Sequence, residues 1–278
     1  MTCIVGVKCE EGAVLGADTS ATYGTQLGQQ QTIRQDTATK LFVACNQVAL
    51  GVSGPISLSQ DYCSEIETYL RGKGNRVRWK SVDEAKAELS KSFWKHAGPA
   101  WERASVVAKT VGPGAAMIEA NHATLVALPI GDSAHMMQFS TQCLAEEVTG
   151  DLPFVSIGSG QPIADPFLAF LRRVFWPTGL PSLLDGQLAT VWTMDHVIRV
   201  NAGGVGGNIQ LVILKRDLTG HNWTCNIIPA EEVEEHRRSV GNIERKMAEL
   251  PALTSFDAVP SPPTPDEEEA AREPEVQK

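Results

Sequence analysis

Short apolar runs broken by turn residues fill the first sixty positions. TCIVGVKC (2–9) and AVLGADT (13–19) flank the turn residues Glu10, Glu11 and Gly12, a pattern that predicts a β-hairpin. KLFVAC (40–45) and VALGVSG (48–54) flank Asn46 and Gln47 and predict a second one. These runs are continuously apolar rather than alternating, as expected of strands covered on both faces. The Gln- and Gly-rich segment 22–37 between the two hairpins reads as a loop. From Pro55 the period becomes helical, with Leu58, Tyr62, Ile66 and Tyr69/Leu70 on one stripe. Ser81 and Glu84 have capping-box spacing and open a second helix, whose pattern Pro99 interrupts. Gly112, Pro113 and Gly114 mark the end of the helical region.

Residues 123–158 return to strands, with turns at Gly131-Asp132, Ser140-Thr141 and Gly150-Asp151. Two helices follow, over 164–176 and 181–200, then a glycine-rich stretch at 202–207 and strands over 208–216 and 222–228. Pro229 and the acids after it open a last helix. Strands and helices therefore come in blocks, without strict βαβ alternation. That order predicts an α+β fold with antiparallel sheets, two sheets lying between two helical layers.

Composition narrows the function classes. At 42% apolar and 21% charged, the chain has the balance of a soluble globular protein. No apolar run is long enough for a membrane span, and the N-terminus does not read as a signal peptide. The net charge of −9 is uneven, because seven acids and two bases lie from Pro251 onward. With its prolines, that stretch reads as a disordered acidic tail (251–278) behind one folded domain (2–250). No basic face suited to nucleic acid is evident, and the basic stretch 71–80 reads as a solvated connector. The six cysteines form no CxxC pair and no zinc-like cluster, which favours reduced thiols in a cytosolic protein.

The candidate chemistry starts at Thr2. With Met1 removed, its hydroxyl and a free α-amine sit on one residue. An amine of ordinary pKa near 8 is partly neutral at pH 7 and can take the hydroxyl proton. The segment TCIVGVKCEEGAVLGADTSAT resembles the opening of proteasome β-subunits and their bacterial relatives. Asp18 stands sixteen residues after Thr2, and Lys40 opens the next strand in TKLFVA. Gly54, in GVSGPISLSQD, lies fourteen residues after Lys40, and Ser159 falls in FVSIGSG.

The resemblance spans about residues 2–228 and implies an N-terminal-nucleophile hydrolase, a four-layer αββα sandwich. It implies Thr2 as nucleophile, with Asp18, Lys40 and Ser159 as catalytic partners and the Gly54 N–H as oxyanion donor. A substrate pocket of Ala21, Thr22, Ala38, Val52 and Ile56 follows, with a preference for apolar side chains before the cleaved bond. The chain looks nearest to the betaproteobacterial proteasome homologues, which implies stacked homo-oligomeric rings in the cytoplasm. It also implies polypeptide substrates, an ATP-dependent unfoldase by analogy, and no propeptide, metal or other cofactor. Two departures stand out. The Asp18–Lys40 loop is longer than usual, and the Asp-x-x-Ser-Gly-Gly stretch of the family is replaced by RVNAGGVGG (199–207), without the acid or the serine. A catalytically silent ring and an amidase acting on a small molecule are the alternative readings.

Overall fold

A computed structural model describes residues 2–23, 33–74, 79–111, 120–200, 204–217, 219–220 and 222–249. The predicted tail at 251–278 lies outside them. The chain divides into two compact units, Met1–Val240 and Gly241–Lys278. The described part of the second, residues 241–249, is helical.

Two five-stranded antiparallel sheets form the centre of the first unit. One contains β1 (Cys3–Lys8), β2 (Gly12–Asp18), β10 (Phe154–Gly158), β11 (Ile209–Arg216) and β12 (Trp223–Ile227), in the order β10-β1-β2-β11-β12. The other contains β5 (Leu41–Ala44), β6 (Val48–Ser53), β7 (Ala123–Ile130), β8 (Ser133–Phe139) and β9 (Ala145–Glu147), in sequence order. Both predicted hairpins form, with Ile4 opposite Ala17 and Leu41 opposite Gly51.

Each strand has two apolar faces because each sheet is covered twice. Between the sheets lie Ile4, Leu15, Ala49, Leu125, Ala127 and Met136. The opposite face of the β5–β9 sheet packs on α1 (Ile56–Gly72) and α2 (Val82–Val111) through Val48, Leu50, Tyr62, Ile66 and Phe93. The opposite face of the β1–β2 sheet packs on α3 (Gln161–Phe175) and α4 (Leu183–Val200) through Val5, Val14, Leu168 and Val191. Val233 of α5 (Ala230–Glu249) joins that layer. The result is the expected αββα order, an α+β fold with three apolar layers.

Two local readings change. The 22–37 segment is not wholly loop. β3 (Ala21–Tyr23) and β4 (Ile33–Gln35) pair antiparallel, and three residues apiece are too short for an apolar period to register. Pro99 does not break α2, which continues to Val111. A mid-helix proline costs about 3 kcal/mol, but the helix is held on both sides, by buried Leu89, Phe93 and Ala97 before it and by Ala104 after it. The 123–158 strand block divides between the sheets: β7–β9 stay in one, and β10 pairs with β1 in the other, setting Cys3 opposite Gly158. That crossing brings Ser159 beside Thr2. As read from the sequence, Ser81 caps α2 by accepting the Glu84 amide at 3.2 Å, and the Glu84 carboxylate reaches back to the Lys80 amide.

Candidate active site

Strand parity puts Thr2 on the same face as Ile4, toward the gap between the sheets, at the end where that gap opens. Its nitrogen donates to Ser159 Oγ at 3.1 Å, and the Ser159 hydroxyl donates back to the Thr2 carbonyl at 3.3 Å. The Gly160 amide donates to the same carbonyl at 3.2 Å. Thr2 is thus held from the turn between β10 and α3, 157 residues away in sequence.

Asp18 ends β2 and is fully buried. Its Oδ1 accepts the Lys40 ammonium at 2.7 Å and the Cys3 amide at 2.9 Å. Its Oδ2 accepts the amides of Ser20 and Gly206, each at 3.2 Å. One carboxylate therefore ties the residue after Thr2, the lysine and the glycine-rich turn into one cluster. A buried carboxylate with four charge-assisted donors is well compensated for its lost hydration. Lys40 is 6% exposed. Burial pulls its ammonium below the usual lysine value, and Asp18 opposes that shift. Its main chain is fixed as well, since Gln210 Oε1 accepts the Lys40 amide at 2.8 Å and the Leu41 amide at 3.3 Å.

Gly54 has φ +138°, and a Cβ there would lie 2.7 Å from the His122 Cβ, so only glycine fits. Gly54 and Thr2 border a cavity of about 560 Å³. Its other walls come from Ser53, the 121–123 segment, Gln138, the Ser140-Thr141 turn, Gly158, Ser159 and Gln161. Ala21, Ala38, Val52 and Ile56 do not border it. The first three are buried, Val52 within the layer facing α1, and Ile56 is exposed. Thr22 lies in β3, and its side chain is outside the described residues.

His122 was not singled out by motif. It is 4% exposed and tightly determined. Nδ1 lies 3.0 Å from the Ala120 carbonyl, which only an N–H can satisfy, so Nε2 accepts from the Tyr62 hydroxyl at 3.0 Å. Cys143 Sγ stands 3.7 Å from that hydroxyl. Burial pulls the imidazole below its ordinary value. Between the lowered folded value and the ordinary one near 6.5, the unfolded chain holds a proton that the folded chain does not. Stability is therefore lost as pH falls through that window, by up to about 1.4 kcal/mol per pH unit. Urea unfolding of wild type and His122→Asn at pH 7 and pH 5.5 measures this. The variant is less stable at pH 7, and the gap narrows at pH 5.5; a constant gap would exclude the linkage.

Among the described residues, no group of three or more His, Cys, Asp or Glu side chains could hold a metal ion. No helix among them is long and apolar enough to cross a membrane.

Residues 1–90 match the family described as "Proteasome: Proteasome subunit". No curated protein matches the chain. Among solved structures, the chain is similar to Anbu (ancestral beta-subunit) from Yersinia bercovieri, with TM-score 0.57 and 16% identity over 90% of this chain and 98% of that one. It is also similar to Anbu from Hyphomicrobium sp. strain MC1, with TM-score 0.59 and 19% identity at the same coverages. A Gly-1 mutant of the latter gives TM-score 0.59 and 21% identity. The chain thus shares the fold of these Anbu structures, here two antiparallel sheets in an α+β arrangement, and it carries a proteasome-subunit match over its first 90 residues.

Proposed function

We propose that the protein is a threonine endopeptidase subunit of a self-compartmentalising homo-oligomeric ring. The carrying observation is the buried Lys40–Asp18 pair, whose carboxylate also grips the Cys3 amide while Ser159 grips the Thr2 nitrogen. After Met1 is removed, that nitrogen is an α-amine. Its N–H donates to Ser159, and its lone pair takes the Thr2 hydroxyl proton as Oγ1 attacks the substrate carbonyl. The Lys40 cation favours the alkoxide and keeps the amine neutral by like-charge repulsion. The Gly54 N–H stabilises the oxyanion. The proton then passes to the departing amine as the C–N bond breaks, and water hydrolyses the ester to free Thr2.

On this reading Ala21, Thr22, Ala38, Val52 and Ile56 meet the acyl side of the substrate. The ring is cytoplasmic, resembles the betaproteobacterial homologues, and takes polypeptides from an ATP-dependent unfoldase. A catalytically silent ring is the second reading, favoured by the lack of an acid and a serine in the 199–207 stretch.

Intact-mass spectrometry tests the chemistry. The expected result is loss of Met1 and one adduct on Thr2 after treatment with a β-lactone, absent in Thr2→Ala. A retained Met1, or an unlabelled mature protein, rejects the peptidase.

A further inference from the structure

The gap between the sheets changes character along its length. Its middle is apolar: Ala49, Ala127 and Met136 share one row across β6, β7 and β8. The next row toward Thr2 is Gly51, Leu125 and Gln138. The last is Ser53 opposite Ala123, with Ser140 following on the same face of β8. Asn121 and Thr141 close the rim and share a hydrogen bond at 3.3 Å. A strand interior that turns polar in its last two rows gains nothing in stability, because Gln138 and Ser53 carry side chains with no partner among the described residues.

Among the described residues, no Asp, Glu, Lys or Arg borders this space, and His122 at its wall has its Nε2 committed to Tyr62. These walls therefore offer hydrogen bonds and no charged side chain. From the proposed reading follows its place in the reaction. The acyl chain and the departing amine leave one carbon in opposite directions, and the acyl side meets residues that do not border the cavity.

We infer that the cavity walled by Ser53, Asn121, Gln138 and Thr141 is a subsite for the residue after the cleaved bond, selecting an uncharged hydrogen-bonding side chain such as Gln or Asn. An apolar side chain there would strip water from Gln138 and Ser53 and return no hydrogen bond, the arrangement by which a polar site rejects an apolar analogue.

The test uses mature Thr2→Ala protein, which cannot turn over, and two acetylated, amidated peptides, Ala-Ala-Leu-Gln-Ala-Ala and Ala-Ala-Leu-Leu-Ala-Ala. Calorimetric titration should give about tenfold tighter binding of the Gln peptide. Gln138→Leu in the same background should reverse the order. Asn121→Ala, at the solvent-facing rim, should cut the preference to about threefold and serves if the Gln138 variant fails to fold. Equal affinities, tighter binding of the Leu peptide, no binding of either at millimolar concentration, or a preference unmoved by both variants overturns the subsite. The β-lactone adduct on wild-type Thr2 reports separately. Preference without adduct removes the peptidase and leaves the subsite; adduct without preference does the reverse.

Discussion

Asp18→Asn should lower stability by about 3–5 kcal/mol and abolish labelling of Thr2 by a β-lactone. The change keeps the shape of the side chain and removes its charge. Lys40 then loses the carboxylate it meets at 2.7 Å, and breaking a buried ion pair by neutralising one partner carries a penalty of that size. The new NH2 group also faces donors. Of the four groups that Asp18 accepts, Lys40 and Cys3 share one oxygen, and Ser20 and Gly206 the other. An amide can serve one pair and must confront the second with its own hydrogens.

For a domain of this size the melting temperature should fall by roughly 10 °C. The double variant Asp18→Asn, Lys40→Met separates the causes. With the buried cation gone, thermal and urea unfolding should recover part of the loss, while labelling stays absent because the base has lost its charged neighbour. If Asp18→Asn melts within 2 °C of wild type, by the same scaling, the cluster does not carry the energy assigned to it.

The same cluster shows where sequence reading reached and where it stopped. Thr2, Asp18, Lys40, Gly54 and Ser159 were picked out by resemblance to the motifs of proteasome β-subunits, whose order and spacing they share. The structure gathers Asp18, Lys40 and the Cys3 amide within hydrogen-bond reach and sets Ser159 on the Thr2 nitrogen. The glycine-rich stretch read only as a turn that lacked an acid and a serine. Its contribution at Gly206 is a backbone amide, which no side-chain motif encodes. His122 and Gln138 were invisible for another reason. Each lies in or beside a strand whose partner strands decide which way it points, and register is a long-range property. One signal was nevertheless available: Gln138 and Ser140 break the apolar face of a strand that is otherwise buried, and Ser53 does the same one strand pair away. The switch of β10 into the other sheet could not be seen either, since a strand block carries no mark of the sheet its last member joins.

That switch makes Gly158 the most constrained glycine near the nucleophile, and Gly158→Ala should displace Thr2. Gly158 has φ +97° and lies opposite Cys3 where β10 meets β1. An added methyl would press on the Thr2 carbonyl, lying 2.9 Å from its carbon and 2.8 Å from Ser53 Oγ. None of these is the tip of a long side chain. The carbonyl is backbone, already fixed by the Gly160 amide and the Ser159 hydroxyl. Overpacking of this kind costs about 1–3 kcal/mol, and a left-handed alanine adds about 1–2 kcal/mol. Since the carbonyl must move, the nucleophile moves with it, and a shift near 1 Å costs on the order of a hundredfold in rate. Gly131→Ala is the control. Gly131 has φ +59° in the β7–β8 turn with open space around it, so it incurs the backbone cost alone. Unfolding curves should show Gly158→Ala losing more stability than Gly131→Ala by the packing component, and only Gly158→Ala should slow the β-lactone reaction. Equal losses in the two variants, with labelling unchanged, would mean that Gly158 is required for its backbone angle and not for its contact with Thr2.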